Sequence, residues 1–478
     1  MTEYINGQQK GRDDTMERVK NMTKGHPAFL MISFAFPLII ANFGQQLYMI
    51  VDAMIVGKGV GVEALAAVGA TDWSYWLVLW TVQALTQGFA IPVSQYFGEG
   101  SKNKVRKAVA MSVKLCLLTG ALLTVVSLLI ARPLLRILQT PDNIFDGAAA
   151  YLITMFAGIL IVTAYNMASS ILRAFGDGKT PMIAIAVAAV ANVALDLLFV
   201  LGFRWGIVGA AAASVIAQLL AFTYCFFVLR KLDWARLEKA DWQNDSAVIR
   251  NQLRLGMPLA VQHMLIAVGG MILQSVINKQ GFVFIAGFTA TNKIYGLLES
   301  SAISFGYAVT TYMAQNYGGR LLGRIRRGLL HASLIAALLS ACISVVMILC
   351  GRPVLELFLD RTNPNAAQVL EIAYHYLFIM SCLLASLYQL YVFRNTLQSL
   401  GNATASLFSG LAEFFARVCA ACVFTRIAGV EALFYAEPFA WICAVAIVAV
   451  VCLQTVGRLR EGEDHGNMED EGAARLYS

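Results

Sequence analysis

The segment "SQYFGEGSKNKVRKAV", residues 94–109, is matched by "AQNYGGRLLGRIRRGL", residues 314–329. Three aligned pairs lie 220 residues apart in the chain: Gln95 and Gln315, Gly98 and Gly318, and Arg106 and Arg326. Other landmarks recur in the same order: Arg132-Pro133 and Arg352-Pro353 at 220 residues, Pro37 and Pro258 at 221, and Gly176 and Gly401 at 225. In both copies a basic cluster follows an apolar segment, so the two halves share one orientation. This pattern predicts a parallel duplication of the chain.

The composition indicates a membrane protein. Of the 478 residues, 58% are hydrophobic and 14% are charged, whereas about a quarter of the residues of a soluble protein are charged. Continuous apolar runs recur along the chain, and a transmembrane helix needs about 20 such residues. A barrel would instead show short alternating segments. We therefore predict an all-α integral membrane protein with twelve transmembrane helices, in two six-helix bundles related by pseudo-two-fold symmetry along the membrane normal.

The basic residues predict the orientation. With a cytoplasmic amino terminus, the inner side holds 25 Lys and Arg residues and the outer loops hold eight, as the positive-inside rule requires. Both termini of this multi-pass protein of the cell (cytoplasmic) membrane are then cytoplasmic. The predicted parts are a cytoplasmic tail (1–26), a first lobe (27–229), a cytoplasmic amphipathic linker (230–250), a second lobe (251–457) and a cytoplasmic tail (458–478). The net charge of +7 follows from this topology, and no nucleic-acid partner is predicted.

Two carboxylates lie inside apolar spans of the first half, where an ionisable group is costly unless it is paired or hydrated. At the rise of an α-helix, Asp52 lies about 7 Å and Asp196 about 9 Å from the outer ends of their predicted helices. Asn192 precedes Asp196 by four residues and shares its helix face. Ser214 lies about 12 Å deep on the following helix. We therefore expect these four side chains to converge.

Oxygen ligands of this kind suit a hard cation such as sodium, and removal from water favours the protonated form of a carboxyl group. The cluster is thus a candidate coupling site for H⁺ or for Na⁺ held by Asp52, Asn192 and Asp196. In a structural alternative, Asp196 and Asn192 satisfy each other or the backbone near Pro37. Pro37 kinks the first helix and is the candidate hinge.

The second half carries different residues at the equivalent positions. Asp52, Asn192 and Asp196 correspond to Leu273, Arg417 and Ala421. Glu413 and Arg417 are four residues apart and are predicted to form a structural ion pair. Five polar residues are candidates for lining a central cavity: Gln45, Gln262, Gln274, Asn278 and Glu299.

Three stretches, "FPLIIANFGQQLYMIVDAMIVGKGVGVEALAAVGAT", "QGFAIPVSQYFGEG" and "NVALDLLFVLGFRWGIVGAAAAS", resemble the multidrug and toxic compound extrusion (MATE) family. The resemblance covers residues 27–457 and implies two six-helix lobes around a cleft. It also implies export of organic cations or amphipathic drugs in exchange for H⁺ or Na⁺, with no further cofactor.

Four residues match the cation site of the DinF-like branch of that family: Asp52, Asn192, Asp196 and Ser214, the last of which replaces a threonine. The NorM-like branch carries a carboxylate on its seventh helix, whereas residues 257–278 contain no Asp or Glu. The chain is therefore expected to be closer to the DinF-like branch.

These observations predict a secondary antiporter for multidrug efflux that works by alternating access. The alternative is a lipid-linked oligosaccharide flippase of the same superfamily, which would favour a more basic cavity. No Ser-His-Asp, His-Glu-x-x-His or paired-aspartate arrangement appears in the sequence, so no enzymatic activity is predicted. The expected partners are organic cations or amphipathic drugs and the lipid bilayer, and the protein is expected to be monomeric. The choice between proton and sodium coupling stays open.

Overall fold

All the regular secondary structure is helical in the computed structural model, which describes residues 19–357 and 365–476. The helices of the first half are α1 (Pro27–Gly59), α2 (Val62–Glu99), α3 (Lys102–Ile137), α4 (Asp142–Ala157), α5 (Ile159–Ala174), α6 (Lys179–Asp196) and α7 (Gly206–Lys231). The helices of the second half are α8 (Ser246–Ile277), α9 (Phe282–Gly318), α10 (Leu322–Glu356), α11 (Ala366–Cys382), α12 (Leu384–Ser399), α13 (Ala403–Cys419), α14 (Thr425–Ala428) and α15 (Ala436–Leu476).

Length and composition identify the helices that can cross a membrane. In the described parts of the chain, eight helices qualify singly and two pairs qualify together, α4 with α5 and α11 with α12. The two pairs bend by 45° and 47°, at Gly158 and Leu383. One apolar stretch, residues 403–459, contains both α13 and the start of α15. A further helix, α9, has 37 residues. The chain is therefore an all-α integral membrane protein of twelve spans, as predicted.

The irregularities of the helices recur in both halves. The bend at Gly158 has a counterpart at Leu383, and π-helical turns follow α6 and α13 at Leu197–Gly202 and Ala420–Phe424. Such turns interrupt the regular hydrogen-bond ladder and are frequent at functional sites. A Cβ added at Gly158 would lie 2.4 Å from Val215 Cγ2, so glycine permits this close approach to α7. The predicted duplication is thus visible in the backbone.

The chain forms two compact units from non-consecutive segments. The first contains Ser33–Phe97, Ser101–Met271 and the described residues up to Asn21. The second contains Met22–Ile32, Gly98–Gly100 and the described residues from 272 onward. Most of α8 therefore packs with the first unit, and the start of α1 packs with the second. The lobe boundaries taken from the sequence stay predictions.

Within the first unit, α8 packs directly on α2. A Cβ added at Gly88 would lie 2.4 Å from Gly256 Cα, so the two helices meet backbone to backbone. Small residues at helix contacts of membrane proteins allow this close packing. The buried Gln252 side chain also donates hydrogen bonds to Ala108 O at 2.9 Å and Ser112 Oγ at 2.8 Å. These contacts fix the first turns of α8 against α2 and α3.

The linker before α8 is held to α3 by ion pairs. Arg106 contacts Glu238 at 2.5 Å and Asp241 at 3.3 Å, and Lys107 contacts Asp245 at 3.0 Å. The hydrogen bond from Lys107 lowers the pKa of the Asp245 carboxyl below its ordinary value. The basic cluster of the first repeat segment therefore anchors the linker.

Within the second unit, the second repeat segment, residues 314–329, also holds another part of the chain in place. Gln315 Oε1 accepts a hydrogen bond from the Met22 N–H at 2.7 Å, and Asn316 Nδ2 donates to Met22 O at 3.1 Å. Arg324 donates to Gly25 O at 3.0 Å and to Met22 O at 3.1 Å. The repeated Gln-x-x-Gly segment thus secures the chain that leads into α1.

Candidate cation site

Helices α6 and α7 bring Asn192 and Ser214 together. Asn192 is 1% exposed, and its Nδ2 donates a hydrogen bond to Ser214 Oγ at 3.2 Å. The bond joins residues that are 22 positions apart in the chain. It occupies the amide nitrogen and leaves the Asn192 Oδ1 atom available as a cation ligand.

The two carboxyl groups, Asp52 on α1 and Asp196 on α6, are direct neighbours whose side chains interact. Asp196 is fully buried and is the last residue before the π-helical turn, whereas Asp52 is half-buried. Neighbouring carboxylates repel each other unless a proton or a cation lies between them. This pair is therefore suited to holding one exchangeable positive charge.

The oxygen atoms of this cluster have few partners. Within the described chain, Asp52 Oδ1, Asn192 Oδ1 and both carboxylate oxygens of Asp196 are buried and accept no hydrogen bond. Buried polar atoms are nearly always hydrogen-bonded in folded proteins, so unpaired ones call for an ion, a proton or water. Carboxylate and amide oxygens are the ligands that hard cations prefer. The donor set thus fits Na⁺ as well as a proton shared by the carboxyl groups.

Two tyrosines that the sequence analysis did not single out lie near the pair. Tyr48 and Tyr151 are close enough to interact electrostatically with both Asp52 and Asp196. Tyr48 also contacts Gln45, one of the candidate cavity-lining residues. The spacing of four residues between Tyr48 and Asp52 is a signal that sequence reasoning could have used. Tyr151 comes from α4 and carries no such signal.

Four charged side chains of the second half form an ion-pair network. Arg417 contacts Glu413 at 3.4 Å and Glu437 at 2.7 Å, and Glu413 also pairs with Arg394. The predicted contact between Glu413 and Arg417 is present. The shorter contact of Arg417 is with Glu437, on α15, 20 residues away. Two arginines and two glutamates therefore neutralise each other inside the second unit.

The other polar residues predicted to line a cavity make separate contacts. Gln262 is fully buried. Gln274 donates to Asn278 Oδ1 at 2.8 Å, and Glu299 accepts a hydrogen bond from Tyr391 at 3.2 Å. Their role in lining a cavity stays a prediction.

Pro37 lies inside α1, which the structure describes as one continuous helix. Its role as a hinge therefore also stays a prediction. Among the described residues, no group of three His, Cys, Asp or Glu side chains has an arrangement for binding a metal ion.

Comparison with known proteins gives matches along most of the chain. A family model described as MatE matches residues 37–198 and 258–422. The probable multidrug resistance protein YpnP of Bacillus subtilis (strain 168) is 32% identical over 304 residues, 62% of this chain and 67% of that protein. The probable multidrug resistance protein YoeA of the same bacterium is 26% identical over 339 residues, 69% of this chain and 73% of that protein. A crystal structure of MATE in complex with MaL6 has a TM-score of 0.85 at 20% identity and covers 92% of this chain and 99% of that one.

The membrane-spanning helices and the duplicated order of bends are typical of a multi-pass membrane transporter. Because the matched model covers more than half of the residues, the chain belongs to the MATE family. The resemblance seen in the sequence is thereby confirmed at the level of the family. The assignment to the DinF-like branch stays a prediction.

Proposed function

We propose that the protein is a secondary antiporter that exports cationic or amphipathic small molecules in exchange for H⁺ or Na⁺ bound at Asp52 and Asp196. One observation carries the proposal: the buried oxygens of this pair receive no hydrogen bond from the described residues. An ionisable group inside a membrane points to a function unless it is paired. The MATE family and the multidrug resistance names of YpnP and YoeA support the choice of cargo.

The proposed cycle starts from the charge of the carboxylate pair. A bound proton or Na⁺ neutralises one negative charge and removes the repulsion between Asp52 and Asp196. Because these residues lie on different helices, occupancy changes the free energy of bringing α1 and α6 together. Pro37, fifteen residues before Asp52, leaves a backbone carbonyl without its helical partner and offers a point at which α1 can bend.

Cargo movement follows from a difference in affinity between two conformations. A ligand shifts such an equilibrium only by the ratio of its affinities for the two states. The cation is proposed to favour the state that releases cargo, and cargo is proposed to favour the other. The membrane potential contributes about 2.3 kcal/mol for each charge moved through 100 mV, in addition to the ion gradient.

The orientation and the assembly are part of the same proposal. The excess of basic residues on the inner side, 25 against eight, supports cytoplasmic termini at the cell membrane. Asp52 and Asp196 then lie nearer the outer face, from which the coupling ion enters. All four residues of the site belong to one chain, so a monomer suffices.

The test is drug efflux from proteoliposomes under separately imposed proton and sodium gradients. We expect Asp52→Asn and Asp196→Asn each to lower gradient-driven efflux at least tenfold, because neither amide can release a proton or neutralise Na⁺. Asp146→Asn is the matched control, since this carboxylate pairs with Arg132 and its side chain is 88% exposed. Gradient-driven efflux that is unchanged in both site variants would refute the coupling assignment.

A further inference from the structure

An open cavity of about 510 Å³ lies beside the first turns of α8. It is wide open to the surface and is lined by five residues on one face of that helix: Ser246, Ile249, Arg250, Leu253 and Arg254. Two guanidinium groups, two aliphatic side chains and one hydroxyl therefore share one cavity. Every wall residue belongs to the first compact unit.

The two arginines carry charge that the described chain does not neutralise. Arg250 and Arg254 are four residues apart, so they are neighbours on one helix face, where like charges repel. Both side chains are exposed. Among residues 19–357 and 365–476, no carboxylate forms an ion pair with either of them. An anion placed between them would remove the repulsion.

The acidic residues nearest in sequence are already engaged elsewhere. Glu238 and Asp241 contact Arg106 at 2.5 and 3.3 Å, and Asp245 contacts Lys107 at 3.0 Å. Asp245 also accepts hydrogen bonds from the backbone N–H groups at the start of α8. These linker carboxylates therefore pair with Arg106 and Lys107 of α3, and among the described residues no carboxylate is left for Arg250 or Arg254.

An apolar stripe continues from the arginines along α8. Its residues follow at spacings of three and four and are 49%, 41%, 44% and 40% exposed: Met257, Val261, Met264 and Val268. These spacings place them on the same helix face as Arg250 and Arg254. A cationic end followed by an apolar stripe matches a molecule with an anionic head and a hydrocarbon tail.

We propose that this cavity binds the phosphate headgroup of an anionic phospholipid, with an acyl chain along the apolar stripe. Arginine pairs with phosphate through two parallel hydrogen bonds, and basic pockets on the cytoplasmic side of membrane proteins bind such headgroups. The site rests on the proposed orientation, under which the start of α8 lies at the cytoplasmic surface. It does not depend on the proposed ion coupling.

The experiment uses the full-length protein in detergent, incubated with mixed micelles that contain phosphatidylglycerol or phosphatidylcholine with the same acyl chains. Lipid that stays bound is counted by native mass spectrometry. We expect a preference for phosphatidylglycerol that falls roughly 30-fold in the double variant Arg250→Gln/Arg254→Gln, because each arginine near a membrane contributes about fivefold. Arg236→Gln/Lys239→Gln is the matched control, since it removes two exposed charges of the linker that do not line the cavity.

Each outcome decides the proposal. Equal loss in both double variants would show general surface attraction and would overturn the site, as would no loss in either. Competition by inorganic phosphate at the same concentration as the lipid would assign the site to free phosphate instead. If the Gln variant does not fold, the proposal is tested with Arg250→Lys/Arg254→Lys and with the unmodified protein. An unmodified protein without preference for phosphatidylglycerol contradicts the proposal. This experiment measures bound lipid and not efflux, so its result is separate from that of the antiport test.

Discussion

The two halves of the chain treat buried carboxylates in opposite ways. In the first half, Asp52 and Asp196 face each other with no cationic side chain bonded to them in the described chain. In the second half, Glu413 and Glu437 are bonded to arginines, and Arg417 stands at the repeat position of Asn192. The second half therefore carries its own cationic side chains, whereas in the first half the cation is proposed to come from solution. Under the proposed function, this divergence after duplication leaves the exchangeable site in the first half.

The largest effect is expected on stability, when the ion-pair network of the second half is disrupted. Arg417→Gln leaves the Glu437 side chain, which is only 15% exposed, without its partner. Breaking such a pair costs about 3–5 kcal/mol of folding free energy. The double variant Arg417→Met/Glu437→Met removes both charges and is expected to restore most of that loss. The measurement is thermal unfolding of the purified protein in detergent. Equal destabilisation of the two variants would contradict a structural role for the network.

An intermediate effect is expected at the candidate cation site of the first half, on the affinity for the coupling ion. Ser214→Ala removes the acceptor of the 3.2 Å hydrogen bond from Asn192, and a neutral hydrogen bond contributes about 1 kcal/mol. We therefore expect the concentration of coupling ion needed for half-maximal efflux to rise roughly fivefold. Ser214→Thr keeps the hydroxyl and is the control. A rise of the same size in both variants would show that packing, and not the hydroxyl, matters at this position.

The smallest effect is expected at the linker, because its charged side chains are more exposed to solvent. The pKa of Asp245 is lowered by the hydrogen bond from Lys107, so this contact stabilises the linker above the ordinary carboxyl pKa of about 3.9. The stabilisation is lost as the pH falls below that value and through the lowered pKa. Proteolysis of the linker is expected to accelerate at acidic pH in the unmodified protein.

The control for this prediction is Asp245→Asn, which lacks the titrating group. In this variant, proteolysis of the linker is expected to be faster at neutral pH and less dependent on pH. Identical pH profiles for the two proteins would contradict a role for Asp245 in holding the linker.

Periodicity and composition predicted the helical spans, the duplication and the candidate site on α6. The contact between Asn192 and Ser214 could be expected because both depths follow from the rise per residue. The pairing of Arg417 with Glu437 could not, because it joins helices whose rotation the sequence does not reveal. The same limit applies to Arg394 and Glu413, which lie 19 residues apart on different helices. Contacts within one helix are readable from spacing, whereas contacts between helices depend on packing.

The turns beside the sites were also unforeseen. The π-helical turn after Asp196 follows a run of apolar residues that looks like an ordinary span. The anchoring of Met22 by Gln315 gives the repeated Gln-x-x-Gly segment a role that spacing alone did not assign. In both cases the decisive hydrogen bonds involve the backbone, whose path the residue types leave undetermined.

The central claim is that the pair Asp52 and Asp196 binds one exchangeable cation. The most direct measurement is the infrared difference spectrum of the protonated carboxyl C=O stretch, recorded in the unmodified protein and in Asp196→Asn while pH and sodium are varied. In the unmodified protein we expect a protonated carboxyl band that vanishes when the pH is raised or sodium is added. We expect Asp196→Asn to lack this band. A spectrum that responds to neither ion, or that is the same in both proteins, would contradict the claim.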